Sequence, residues 1–220
     1  MLWPLTGAFR LISPDIPGQA GLSAEVPPDR DGGYGRWLLS MLDGLGIERC
    51  AMVGISFGGA VVLDAIRLAP LRVERASLIV PAGLEISLWR TLKATLRPWL
   101  SYRWHRDDPH FAALMKPLMA EPWPELCQFY QAVLSDLHPP VRVPPGPFSA
   151  AELRHFDGAV QLVLARHDLY FEPEALEAAA REALPKLSDI LLLDDSHIPG
   201  RNSRRELHQR VLAFLADSGR

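Results

Sequence analysis

Short apolar runs alternate with stretches of helical periodicity along most of this chain, and that alternation constrains its fold more than any other feature. The runs are "FRLISPD" (9–15), "ERCAMVGI" (48–55), "RASLIVPAG" (75–83), "AVQLVLARHD" (159–168) and "SDILLLDDSH" (188–197). They are too short for buried helices and are bounded by Pro, Gly or Asp, so they read as buried strands. Between them, "YGRWLLSMLDGLGI" has Trp37, Leu38, Met41, Leu42 and Leu45 at helical spacing, with Gly46 as its stop. "FGGAVVLDAIRLAP" reads as a helix ended by Pro70, and "PEALEAAAREAL" and "SRRELHQRVLAFLADS" as two more. Strands continuously apolar and separated by helices predict an α/β fold, a mostly parallel sheet with helices on both faces.

Residues 84–150 break the alternation. They hold Trp89, Trp99, Trp104 and Trp123 and the proline-rich run "HPPVRVPPGPF" (138–148). The segment is too long for a simple crossover and too apolar for a disordered linker. It is expected to form a helical cap over the carboxyl edge of the sheet, where clefts of open α/β sheets form. The domain organisation is then core (1–83), cap insertion (84–150) and core again (151–220). A helical subdomain with no ligand role is the competing reading.

The chemistry concentrates at "VGISFGG" (53–59). Gly54-Ile55-Ser56-Phe57-Gly58 is a G-x-S-x-G run lying between an expected strand and an expected helix, the setting a nucleophile elbow requires. Side chains at Gly54 or Gly58 are expected to collide as the backbone reverses. The turn lifts the Ser56 hydroxyl clear of the sheet, and the Phe57 N–H at the helix start faces a developing oxyanion. A serine hydroxyl needs a base. Of seven histidines, His197 alone follows directly on a strand at the same sheet edge. His105, His110, His138 and His155 lie in or beside the insertion and His208 within the last helix, where packing or surface roles fit better. Asp168 ends the preceding strand at that edge and can orient the His197 ring. Asp194 and Asp195 precede His197 too closely to face its ring, Glu172 lies further along its loop, and His167 is expected to point outward.

"LISPDIPGQAGLS", "VGISFGGAVVLDAI", "SLIVPAGL", "LVLARHDLYFEP" and "DSHIPG" resemble, in order, the landmarks of the α/β-hydrolase superfamily. Within it the chain is most similar to cap-bearing bacterial carboxylesterases. The resemblance implies a serine hydrolase with Ser56, Asp168 and His197 as triad, Phe57 N–H as an oxyanion donor, and neither cofactor nor metal. It implies cleavage of small carboxylic esters through an acyl-enzyme. A carbon–carbon bond hydrolase with the same triad, or a non-catalytic member of the fold, are the alternatives. Family members carry further strands and a His-Gly oxyanion loop upstream of the match to "FRLISPD", and this sequence starts after them. The expectation is an N-terminally truncated fold with weak activity, since one oxyanion donor is worth about 3 to 4 kcal/mol. An uncovered sheet edge would offer a surface for self-association.

Bulk properties exclude other classes. The 220 residues are 48% hydrophobic and 22% charged, enough for one substantial core. A net charge of −3 provides no basic field for nucleic acid. No apolar run suits a bilayer and no secretory leader is evident at the start. Cys50 and Cys127 form neither a disulfide framework nor a metal pattern and are expected to be buried thiols, consistent with a cytoplasmic setting. The expected partner is a small-molecule ester.

Overall fold

The computed structural model describes residues 2–85, 88–136 and 143–217. His138 and the rest of residues 138–142 in the proline-rich run lie outside the described residues. After a 3₁₀ turn (Trp3–Gly7) the elements are α1 (Gly33–Gly44), β1 (Cys50–Ile55), α2 (Phe57–Leu68), β2 (Val73–Ile79), α3 (Leu88–His105), α4 (Asp108–Met115) and α5 (Pro124–Asp136). There follow α6 (Ala150–Leu153), β3 (Ala159–Ala165), α7 (Pro173–Ala183), β4 (Leu187–Leu193) and α8 (Arg201–Ala216).

The strands form one parallel sheet in the order β1-β2-β3-β4. Val53 stands opposite Ser77, Ser77 opposite Gln161, and Gln161 opposite Asp189. Successive side chains alternate faces. Leu162 and Leu164 enter a large core with Leu38 and Leu42 of α1, Val62 and Ile66 of α2, and Leu176 and Ala180 of α7. Val163 and Ala165 point to the other face, with Leu207 and Val211 of α8 and Leu5 of the 3₁₀ turn. Helices therefore cover both faces, and the sheet is apolar on both.

Two polar devices hold the layers in register. Asp64 of α2 is fully buried; its carboxylate accepts from the Gly35 N–H at 2.7 Å and from Arg67 at 2.9 Å. Gly35 is required there, because a Cβ would lie 2.7 Å from the Asp64 carbonyl. On the opposite face, Ser77 donates to Gln161 (2.7 Å), and Gln161 donates to Asp189 (2.6 Å) and to the Arg210 carbonyl (3.3 Å). One buried network thus ties β2, β3, β4 and α8 with its polar groups paired.

One expected strand is not formed. Residues 9–15 make no ladder with the sheet, and Leu11 and Ile12 are exposed. A strand exists only through its partner's N–H and C=O groups, and among the described residues β1 pairs on one side alone, with β2. Phe9 still packs against the second apolar cluster, so the segment keeps part of its apolar contact without the ladder.

The inserted helices α3, α4 and α5 build a small core of their own. Phe111, Met115 and Met119 are buried, with Tyr102, Trp123, Leu126 and Tyr130 packed against them. Ile198, from the loop after β4, joins the same cluster. Among the described residues no helix is long and apolar enough to cross a membrane.

Candidate active site

Parallel topology brings every strand's carboxyl end to one edge. Ser56 follows β1, Glu85 follows β2, Asp168 follows β3 and His197 follows β4. The three residues singled out from the sequence meet there. His197 Nε2 lies 2.8 Å from Ser56 Oγ, and its Nδ1 lies 2.7 Å from Asp168 Oδ2. His197 and Asp168 are buried, at 5% and 4% exposure, while Ser56 is half-buried, so the hydroxyl is the end of the chain that a ligand can reach.

Local backbone explains the aim of the serine. Ser56 adopts φ 50° and ψ −115°, a left-handed conformation that costs a non-glycine residue about 1–3 kcal/mol. It precedes α2 as the N-cap, yet its side chain makes no capping hydrogen bond. The oxygen that would ordinarily satisfy the helix start is turned to His197 instead. The Ser56 N–H and carbonyl are held by Ile79 (2.9 Å) and Ala82 (3.0 Å), which anchors the elbow to β2 and the residues after it. Phe57 begins α2, so its N–H belongs to the first helical turn, which no helical carbonyl can reach.

The glycines act differently from expectation. A Cβ on Gly54 would stand 2.7 Å from the Gly58 carbonyl oxygen and 2.7 Å from Gly59 Cα, so only glycine fits. Gly58 has open space where its Cβ would be. The second steric requirement falls on Gly59 instead, where a Cβ would meet Pro81 Cβ at 2.5 Å. The helix starts so sharply that its second glycine, not the motif's last, faces the neighbouring strand's exit.

The acid is gripped by its own loop. Asp168 Oδ1 accepts from the N–H groups of Tyr170 (2.7 Å) and Phe171 (3.2 Å), leaving Oδ2 for the histidine. Its sequence rivals are engaged elsewhere. Asp194 pairs with Arg166 and His167, Asp195 accepts from the N–H groups of Ser196 and Gly200, and Glu172 pairs with Arg90. His167 is exposed and turned outward.

Aromatic rings that sequence reasoning missed frame the imidazole. Tyr170 meets His197 edge-on with centroids 5.1 Å apart, and Phe171 lies at 5.8 Å. Their position two and three residues after the acid was the available signal. Burial pushes the Tyr170 phenol up, with the charges of Tyr130 and Asp168 adding to the effect. Burial likewise raises the phenol of Tyr130, which comes from α5 and packs in the cluster of the helices between β2 and β3. The tryptophans behave less uniformly than expected. Trp89 and Trp104 are exposed, Trp104 at 86%, while Trp123 lies under the Arg204 guanidinium at 4.0 Å. Trp123 also borders a hollow of about 260 Å³ beside Ile198 and Pro199.

Among the described residues one group could offer three metal ligands, His105, Asp107 and His110. Its imidazoles are stacked at 4.1 Å with planes only 12° apart. Ring-nitrogen lone pairs lie in the ring plane, so parallel rings do not converge on one ion. The arrangement is the N-terminus of α4, with Asp107 accepting from the His110 N–H at 3.0 Å and from its ring. Cys50 and Cys127 are free and half-buried, less enclosed than expected.

Residues 2–209 match the family described as "Alpha/beta hydrolase family". The chain belongs to that family. Among alpha/beta hydrolases it is 23% identical to the uncharacterised carboxylesterase nap of Bacillus subtilis (strain 168), over 96% of this chain and 72% of that protein. It is 25% identical to carboxylesterase YbfK of the same organism, over 94% of this chain and 71% of the other. The crystal structure of esterase RhEst1 from Rhodococcus sp. ECU1013 superimposes with a TM-score of 0.78 at 17% identity, over 99% of this chain and 84% of that one. The α/β-hydrolase fold is thus shared across distant sequences.

Proposed function

We propose that this alpha/beta hydrolase cleaves small carboxylic esters through an acyl-enzyme formed on Ser56. The observation that carries the reading is the continuous hydrogen-bonded chain from Ser56 Oγ through His197 to Asp168, ending at a strained elbow. Asp168 accepts from His197 Nδ1–H, which leaves Nε2 as the acceptor for the Ser56 proton. As the proton moves to Nε2, Oγ attacks the ester carbonyl. The oxyanion develops toward the Phe57 N–H at the start of α2. His197 then protonates the departing alcohol, and the acyl group stays on Ser56. Water attacks that acyl group with His197 again as base, releasing the acid. Asp168 holds the tautomer and stabilises the imidazolium without itself taking the proton.

No cofactor enters this sequence. Residues 84–150 act as the cap over a core made of 1–83 and 151–220. The small apolar cluster of α3–α5, separate from the two sheet-face cores, supports that division. A reducing, cytoplasmic setting agrees with the two free cysteines.

A fluorophosphonate probe and p-nitrophenyl butyrate test the reading together. The wild-type protein is expected to label at Ser56 and turn over the ester, and Ser56→Ala to do neither while staying folded. Asp168→Asn should lower kcat by about 10⁴-fold, since the amide favours the wrong imidazole tautomer. Undiminished turnover in S56A would remove Ser56 from the mechanism.

A further inference from the structure

Arg90 stands in the first turn of α3, where the chain leaves the sheet edge for the inserted helices. Its guanidinium spans the turn that carries Asp168. One end, Nη1, donates to Glu172 Oε2 at 2.9 Å. The other, Nη2, reaches the main-chain carbonyl of Asp168 at 3.4 Å. Between those two acceptors the turn is closed from inside by Asp168 Oδ1, which takes the Tyr170 and Phe171 N–H groups. The same carboxylate's other oxygen holds His197. Arg90 thus grips both ends of a five-residue turn, Asp168 to Glu172, whose centre orients the imidazole. A planar fork suits that task, because it can serve two separated acceptors with little further loss of freedom.

The electrostatic setting is uneven. Glu172 pairs with Arg90, Glu85 feels the charges of Arg90, Glu172 and Asp168, and Glu85 Oε2 is buried without a hydrogen-bond partner among the described residues. Burial pushes the Glu85 carboxyl up; Arg90 opposes that, while Glu172 and Asp168 reinforce it. Facing the histidine itself are Asp168, Tyr170 and Phe171 from the loop after β3 and Ser56 from the elbow, while Asp195 of its own loop is turned to the Ser196 and Gly200 N–H groups. Tyr130 of α5 acts on Tyr170 behind them.

We propose that Arg90 is a positioning residue, a clamp from the first inserted helix that fixes the Asp168 turn and tempers the negative charge felt by His197. The kinetic side of this proposal rests on the esterase reading above; the electrostatic side does not. Removing a positive charge beside the acid makes the imidazolium easier to form, and removing a negative one makes it harder.

The experiment is an NMR titration of the histidine rings in the full chain, with the His197 signal assigned by its loss in His197→Gln. In Arg90→Gln the His197 midpoint is expected to move up by several tenths of a pH unit. In Glu172→Gln, a change at an exposed side chain, it is expected to move down. Arg90→Lys keeps the charge but loses the fork, so its midpoint should stay while kcat on p-nitrophenyl butyrate falls several-fold. A side chain that merely braces the fold would change melting temperature and leave every midpoint alone. An unmoved His197 midpoint in folded R90Q overturns the clamp; should R90Q not fold, an unmoved E172Q midpoint overturns it alone. Failure of the wild-type protein to label with fluorophosphonate would count against Ser56 as nucleophile and leave the titration as the measure of Arg90.

Discussion

Glu85 has a buried carboxylate oxygen with no hydrogen-bond partner among the described residues, and its carboxyl is pushed up first by that burial. Its titration has a definite sign. Well below the ordinary carboxylate range it is neutral in both folded and unfolded chains and makes no pH-dependent difference. As pH rises the unfolded chain ionises first, so the folded state loses stability until Glu85 ionises there too. Glu85→Gln should therefore raise the melting temperature at pH 7–8 and leave it nearly unchanged near pH 4. A thermal melt at both values checks this, and an equal gain at both would point to packing instead. Ser56, Asp168 and His197 were legible in the sequence because a motif or a strand end marks each. Arg90 and Glu85 were not, because no local pattern says which distant loop they will face.

At the level of elements, the elbow separates two adjacent glycines. Gly58 has empty space around a would-be Cβ, whereas at Gly59 that atom would lie 2.5 Å from Pro81 Cβ and 2.9 Å from Pro81 Cα. Gly58→Ala should be neutral or stabilise the start of α2 by about 0.5 kcal/mol through helix propensity. Gly59→Ala should destabilise by about 1–3 kcal/mol, because backbone or helix must shift to admit the methyl group. Chemical denaturation of both variants distinguishes the positions; equal costs would mean that α2 slides to accommodate either. The four strands actually formed were readable from their apolar runs. The stretch 9–15 also carries apolar residues and fails, since they supply a face to bury but not a neighbour to pair with.

For the whole molecule, the helices between β2 and β3 meet the loops of the site through Arg90 and through the cluster that takes in Ile198. Ile198 packs into their cluster one residue beyond His197. Trp123 borders the hollow beside Ile198, and Trp104 is 86% exposed. Trp123→Ala should consequently alter the preference among p-nitrophenyl esters of different chain length, while Trp104→Ala should leave it unchanged. Initial rates on acetate, butyrate and octanoate esters decide between them. A shift with W104A and none with W123A would reverse the assignment of the two tryptophans.

The sequence by itself determined the alternation of strand and helix, the parallel sheet that follows from it, and the identity of three residues at its carboxyl edge. Those features are encoded locally, in periodicity, in turn residues and in the reach of a strand end. The tertiary structure alone decided which glycine touches Pro81, which tryptophan faces a hollow, and which charge clamps the acid turn. Each of these depends on how far two remote backbones approach, and side chains such as Arg90 and Glu172, 82 residues apart, meet only once the layers have packed.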